Sequence, residues 1–187
     1  MSEEKVKKSY EETDVDVHGR LVYGTYEEAK EWIGKKGEII FADDLVDHSR
    51  IKYFCSVVED GNPSYWDEDY AKRQWGGVLL PPAMLVTYCM HLLWRPEGGS
   101  KYAWMPTQIP LPGETMINVS TESEFYRPVI VGDWLNYQEE VVSVSEEKTT
   151  ALGVGHFITT LTTFRNQRGE VVAKVKNTLF RYRVKKG

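Results

Sequence analysis

The sequence predicts an α+β protein in which a curved antiparallel sheet wraps a long apolar helix. Three observations carry this expectation. Helical periodicity is confined to residues before Arg95. From Thr115 onward the chain becomes a series of long stretches rich in Val, Thr, Ile and aromatic residues. Between them, Ala83 to Trp94 reads AMLVTYCMHLLW, apolar on every side. Helices first and strands afterwards, in one chain, make an α+β arrangement. A helix with no polar face cannot lie on a surface and must be enclosed.

Taken in order, residues 1 to about 20 are charged and aperiodic and read as an arm, and residues 21–187 read as one domain. Thr25 and Glu28 have the spacing of a capping box, Ala29, Trp32 and Ile33 form one apolar face, and Gly34 is placed to end that helix. Gly37 to Phe41 reads as a short strand. A second helix starts near Asp47, because Ile51, Phe54, Cys55 and Val58 follow the i, i+3, i+4, i+7 pattern. Asp60-Gly61-Asn62-Pro63 stops it. Ser64 and Asp67 then open a short polar helix that Gly76-Gly77 breaks, with Trp66, Tyr70 and Trp75 as a packing stripe. Pro81 and Pro82 sit where prolines suit the first turn of the apolar helix. A Pro- and Gly-rich loop runs from Arg95 to Gly113. Strands are expected near 115–125, 133–144, 149–166 and 170–184, with turns at 145–148 and 166–169. Connections this short require antiparallel pairing.

Composition limits function. The chain has 187 residues, 41% hydrophobic and 27% charged, ordinary for a globular domain with a real core. A formal charge of −5, with no basic run beyond Arg181 to Lys186, argues against a nucleic-acid partner. Cys55 and Cys89 lie in apolar stretches and form no C-x-x-C pair, so both read as buried thiols in a reducing compartment. The N-terminus lacks the apolar core of a signal peptide, and the longest apolar run is too short for a membrane span; the expected location is cytoplasmic. No metal-ligand cluster is evident. Of the four histidines, His91 reads as a core residue, His18 and His48 as exposed, and His156 as a strand residue following Gly153-Val154-Gly155.

Four stretches, VEDGNPSYWDEDYA, WGGVLLPPAML, TESEFYRPVIVGDWL and GHFITTLTTFRNQRGEVVA, resemble in order the MaoC-like acyl-CoA dehydratase/enoyl-CoA hydratase family, in its MaoC N-terminal, FAS1-like dehydratase branch. The resemblance runs from about Gly37 to Arg183. It implies the hotdog fold, acyl-CoA thioesters as substrates, no cofactor, and pairing with a second MaoC-like subunit or as a homodimer. In hydratases of that family a D-x-N-P-x-H motif orients and deprotonates a water, and a backbone N–H at the start of the central helix polarises the thioester carbonyl. Carried over, the motif gives Asp60, Asn62 and Pro63, with Tyr65 where the histidine stands. A phenol of pKa about 10 is a poor base at neutral pH. Ala83 and Met84 at the helix start, with Gly77 and His156, are the implied oxyanion and substrate-binding residues. Asp, Gly, Asn and Pro are also ordinary turn formers, so a turn and an active-site loop both remain open readings. Three functions follow: a His-less hydratase subunit that shapes the acyl pocket beside a catalytic partner, a self-sufficient hydratase or thioesterase using Asp60, and a non-enzymatic acyl-CoA binding module.

Overall fold

A computed structural model describes residues 21–92, 94–96, 98–99 and 104–185. The expected arm at 1–20 lies outside the described residues, as does His18.

The helical half follows its caps. Helix α1, Tyr26–Lys30, carries the capping box between Thr25 and Glu28 in both directions. After strand β1, Ile40–Phe41, helix α2 spans His48–Val57 with Asp47 as N-cap, and Ile51 and Cys55 are buried on one face. Burying a side chain such as Ile51 contributes about 1.5–3 kcal/mol. The helix stops one residue earlier than the expected turn. Glu59, not a glycine, takes the left-handed conformation (φ 56°) just before Asp60. The polar segment forms two helices, α3, Pro63–Trp66, and α4, Glu68–Trp75, and Gly76 closes α4 in the left-handed conformation.

The apolar run departs from expectation. It gives a 3-10 turn at Pro82–Met84 and one turn of helix, α5, Leu85–Tyr88, and ends at Cys89. Nor is it enclosed all round: Leu85, Tyr88 and Cys89 are buried, whereas Val86, Met90 and Leu92 are about half exposed. Two physical causes stop it. Val86 and Thr87 are β-branched and Tyr88 aromatic, all indifferent helix formers. Beyond Cys89, Asp43 pulls the chain aside, accepting from the Leu92 N–H at 2.6 Å and contacting His91 Nδ1 at 3.2 Å. His91, read as a core residue, is therefore half-buried and paired. The strands β2, Trp94–Arg95, and β3, Gly98–Gly99, form a separate antiparallel pair. Helix α6, Met105–Gln108, interrupts the expected loop.

The four expected strands are present as β4 Thr115–Phe125, β5 Asn136–Val144, β7 Gly153–Arg165 and β8 Val171–Val184. However, β5 starts three residues later than expected, and the expected 149–166 strand is split, with a separate β6, Lys148–Thr149, beginning inside the expected turn. They form a six-stranded sheet in the order β1-β5-β7-β8-β4, all pairs antiparallel, with β6 on β7. β4 is an edge, and most of its residues are exposed. Residues two apart on a strand share a face. Ala173, Val175, Leu179 and Arg181 therefore lie on one face of β8, as do Tyr137, Glu139 and Val141 on β5. That single face carries two apolar clusters: one gathers Tyr137, Phe164 and Ala173 with Ile51, Cys55, Tyr65, Leu85 and Tyr88, the other Val141, Ile158 and Leu179 with Ala29, Ile109 and Leu111. This is the hotdog arrangement, with an abbreviated central helix.

Candidate active site

The residues from Asp60 to Trp66 form a tightly bonded loop at the first of these clusters. Asp60 N–H closes on Cys55 C=O at 2.9 Å, ending α2. The Asp60 carboxylate accepts from the Asn62 N–H at 3.0 Å, and Asn62 Oδ1 accepts from the Ser64 N–H at 3.0 Å. Asn62 is thus the N-cap of α3 and Pro63 its first residue, both natural at those positions. The turn chemistry is fully used, and Asp60 stays half-buried within the loop. Tyr65 turns the other way, into the core, 7% exposed. Burial pushes its phenol up, and the charges of Asp60 and Cys55 push it further. Tyr65 therefore stays protonated through neutral pH.

His48, expected to be exposed, belongs to this loop. Its Nε2 lies 2.8 Å from the Tyr65 carbonyl, and its Nδ1 lies 3.4 Å from Glu68 Oε1. Nothing in the sequence pattern marks this contact between the start of α2 and α3. Two tryptophans clamp the loop from opposite ends: Trp66 donates its indole N–H to Asp60 C=O at 2.7 Å, and Trp75 donates to Ser64 Oγ at 2.9 Å. Expected as packing, both remain 41–45% exposed. Each borders a groove. Trp75, with Leu79, Leu80, Pro82, Leu85, Phe125 and Val129, lines an apolar one of about 250 Å³, with Arg127 in its wall. Trp66 borders a second one along α2, beside His48, Lys52 and Tyr53.

The helix start lies on the apolar groove. Met84 N–H is spent on Pro81 C=O and Leu85 N–H on Pro82 C=O, and neither proline has an amide hydrogen. Ala83 is exposed in the first turn, where helix amides lack an intrahelical acceptor. It is the donor this segment can offer an oxyanion. The Met84 side chain is buried in the core. Gly77 packs against Ile130, whose Cδ1 would stand 3.2 Å from an added Cβ.

His156 is not brought to this site. Its ring stacks on Tyr26 with centroids 5.4 Å apart, and its Nδ1 lies 2.9 Å from the Ser145 carbonyl. It belongs with the second apolar cluster, eight residues along β7 from Phe164, roughly 26 Å at the strand rise. Cys55 and Cys89 are both free and buried, and burial pushes the Cys89 thiol up to about 12. Among the described residues no group of three His, Cys, Asp or Glu could hold a metal ion, and no helix is long and apolar enough to cross a membrane.

Comparison with known proteins bears on the fold and the family. A probable enoyl-CoA hydratase alpha subunit from Thermomonospora curvata is 35% identical over 162 residues, covering 83% of this chain and 51% of the relative. The chain thus spans about half the length of that relative. Among solved structures, a chain of the ChsH1-ChsH2 complex from Mycobacterium tuberculosis superposes with a TM-score of 0.69 at 22% identity, over 86% of this chain and 90% of the other. The (R)-hydratase from A. caviae involved in PHA biosynthesis gives a TM-score of 0.54 at 20% identity, over 79% and 94%. At these identities the two structures speak for the fold. Residues 32–175 match the FAS1-like, dehydratase domain region. The chain therefore belongs to the FAS1-like, MaoC-type dehydratase family.

Proposed function

We propose that this chain is the pocket-shaping subunit of an enoyl-CoA hydratase and works beside a second MaoC-like subunit that supplies the base. The reaction is reversible addition of water to the α,β double bond of an acyl-CoA thioester. Hydroxide adds to Cβ, a proton to Cα, and charge collects on the thioester oxygen in between. No redox step arises, so the chemistry asks for a base, an acid and an oxyanion donor. Ala83 N–H is the donor this chain offers, and the groove beside Pro82 and Leu85 takes apolar acyl carbons.

The observation that carries the reading is Tyr65. Where hydratases of the resembling family hold a histidine, this chain has a phenol buried in the core and kept protonated. Such a group cannot take a proton from water near pH 7. Partnership is supported by the open β4 edge, with Val119 and Phe125 about half exposed, and by exposed Val86, Met90 and Leu92 around the short helix. The alpha-subunit name of the T. curvata relative and the two-component M. tuberculosis complex are of the same kind.

A second reading, a self-sufficient hydratase or thioesterase, draws on His48, an imidazole held in the same loop as Asp60. The assay that separates them uses a short and a bulky enoyl-CoA, with the chain alone and mixed with a MaoC-like protein carrying an intact D-x-N-P-x-H motif. Turnover is expected only in the mixture and is expected to survive Asp60→Asn. Turnover by the isolated chain, lost in Asp60→Asn, would overturn the proposal. Saturable acyl-CoA binding without turnover in any pairing would leave a binding module.

A further inference from the structure

The face of the sheet that carries both apolar clusters does not stop at them; it runs on to β4, where it is open. Cross-strand partners share a face. Phe125 stands opposite Ala173, Ser123 opposite Val175 and Thr121 opposite Asn177, so all three β4 residues lie on that face, and all three are exposed. Phe125 is also in the wall of the apolar groove beside Pro82 and Leu85. The open strip therefore begins where the groove ends, and it then becomes polar. Asn177 is half-buried on β8, flanked by Val175 of the first cluster and Leu179 of the second. Its Oδ1 accepts from the Thr121 hydroxyl at 2.7 Å, which accepts in turn from Asn118 Nδ2 at 2.9 Å. That leaves the Asn177 Nδ2 donors and the Asn118 Oδ1 acceptor without a partner among the described residues. On the other side of Asn177 stands Thr160, fully buried, with no aligned hydrogen bond at its hydroxyl.

Such a row discriminates between acyl tails. A hydrocarbon tail leaving the groove over it would strip water from the Asn177 amide and return no hydrogen bond, which disfavours binding. A tail with an oxygen at that place replaces the lost water. We propose that Asn177, aligned by Thr121 and Asn118, reads an oxygen on the distal part of the acyl chain, so that the preferred thioester carries a hydroxyl or keto group there rather than a plain hydrocarbon tail. This deepens the hydratase reading and rests on it. Thr121 lies four residues from Phe125, roughly 14 Å along the strand. The oxygen therefore belongs beyond the carbons that the apolar groove holds, far from the double bond. Asn177 takes no part in the chemistry and acts on specificity alone.

Calorimetric titration of the full chain tests this, using 2-enoyl-CoA thioesters of equal length, one plain and the others bearing a single keto oxygen at successive tail positions. One position is expected to bind about tenfold tighter than the plain chain, the effect of one hydrogen bond. Asn177→Leu should remove that preference while the plain thioester binds at least as well as before. Thr121→Val, which removes only the hydroxyl that aligns Asn177, should weaken the preference, and it carries the test if Asn177→Leu does not fold. A short enoyl-CoA that ends inside the apolar groove should bind wild type and both variants equally. If no keto position is preferred, or the preference survives both variants, the assignment is overturned, and binding of the short thioester then shows that the hydratase reading survives it. If no thioester binds, alone or with a catalytic MaoC-like partner, the hydratase reading falls and the assignment with it. A preference shown by the isolated chain and lost on adding that partner would show that β4 is a docking face, and would also overturn the assignment.

Discussion

One face of one sheet ends in two very different ways. At the Phe164 end, the polar groups of Asp60, Asn62, His48, Trp66 and Trp75 hold an exposed loop between two grooves. At the His156 end, polar groups are buried and engaged mostly in structural contacts. Arg181 is fully buried on β8, with Nε donating to Gly113 C=O at 3.0 Å and Nη1 to Ile109 C=O at 2.9 Å. His156 is held by Ser145 and Tyr26, and Glu139 is 6% exposed. A buried polar residue is therefore a poor guide to function in this molecule. What distinguishes the Asp60 end is that its hydrogen bonds fix a loop while leaving aromatic rings open.

The largest effect expected from breaking this division is at Arg181. Its two carbonyl bonds staple the 109–113 segment to β8, and the Tyr23 ring lies 5.2 Å from its guanidinium. Burial lowers its pKa, so the protein already carries a cost for an uncompensated charge there. Arg181→Ala leaves two carbonyls without donors and a cavity, a loss of about 3 kcal/mol. That corresponds to a melting temperature lower by roughly 6–12 °C. Enoyl-CoA binding should persist in the folded fraction. Loss of that binding well below the melting temperature would mean the two ends are coupled.

Next comes Tyr88, which ties the short helix to the loop end. Its hydroxyl accepts from the Asp47 N–H at 2.7 Å and reaches both Leu45 C=O and Asp47 Oδ2 at 2.7 Å. Burial and then the Asp47 contact push the phenol up to about 12. Burial works to raise Asp47 as well, but the Tyr88 hydroxyl and the Arg50 amide outweigh it and hold that carboxyl low. Tyr88→Phe should cost about 1–2 kcal/mol in urea unfolding, with an unchanged m-value. A change in m-value instead would indicate that the helix had detached.

How much of this was legible in the sequence divides along the same line. The long strands read clearly, because alternation over a dozen positions and the Asn166–Gly169 turn pair β7 with β8 antiparallel, with one register shift at Phe164/Arg165 beside the turn. Capping at Thr25, Asp47 and Asp67 was equally local and equally readable. The apolar run misled, because an all-apolar stretch carries no period from which to judge a helix's length. Asp43, which turns it aside at His91 and Leu92, lies more than forty residues away in sequence. The Asp60 motif was visible, yet the inward turn of Tyr65 and the arrival of His48 depend on tertiary packing that no spacing encodes. That His156 lies away from the Asp60 loop was hidden for a related reason: strand parity gives its face, and not which end of the sheet it occupies.

Glu59 offers a gain. A non-glycine residue at φ 56° just ahead of Asp60 costs up to about 1 kcal/mol. Glu59→Gly should return roughly 0.5–1 kcal/mol by relieving it. If the strain serves to set the loop, the same variant should weaken enoyl-CoA binding while it raises the melting temperature. Stability and binding rising together would show that the strain has no part in the site.

The smallest effect, and the most diagnostic of the closed end, is at Glu139. Burial pushes its carboxyl above 4.5, against the pull of the Thr160 hydroxyl and the Met105 amide. The folded protein thus keeps a proton on Glu139 to higher pH than the unfolded chain does. Between the two values the native state binds more protons, so stability must fall as pH rises through that window. The contribution is complete below the unfolded value and lost above the folded one. Glu139→Gln mimics the protonated acid at every pH and retains an oxygen to accept from Met105. Its melting temperature should therefore match wild type near pH 4 and exceed it progressively toward pH 8, and a difference that is constant or reversed across that range would sink the argument. Because Glu139 sits between the two apolar clusters, on the same face as Tyr137 and Val141, the variant should leave enoyl-CoA affinity unchanged. A shift in that affinity would show that the His156 end reaches further into the Asp60 end than its hydrogen bonds indicate.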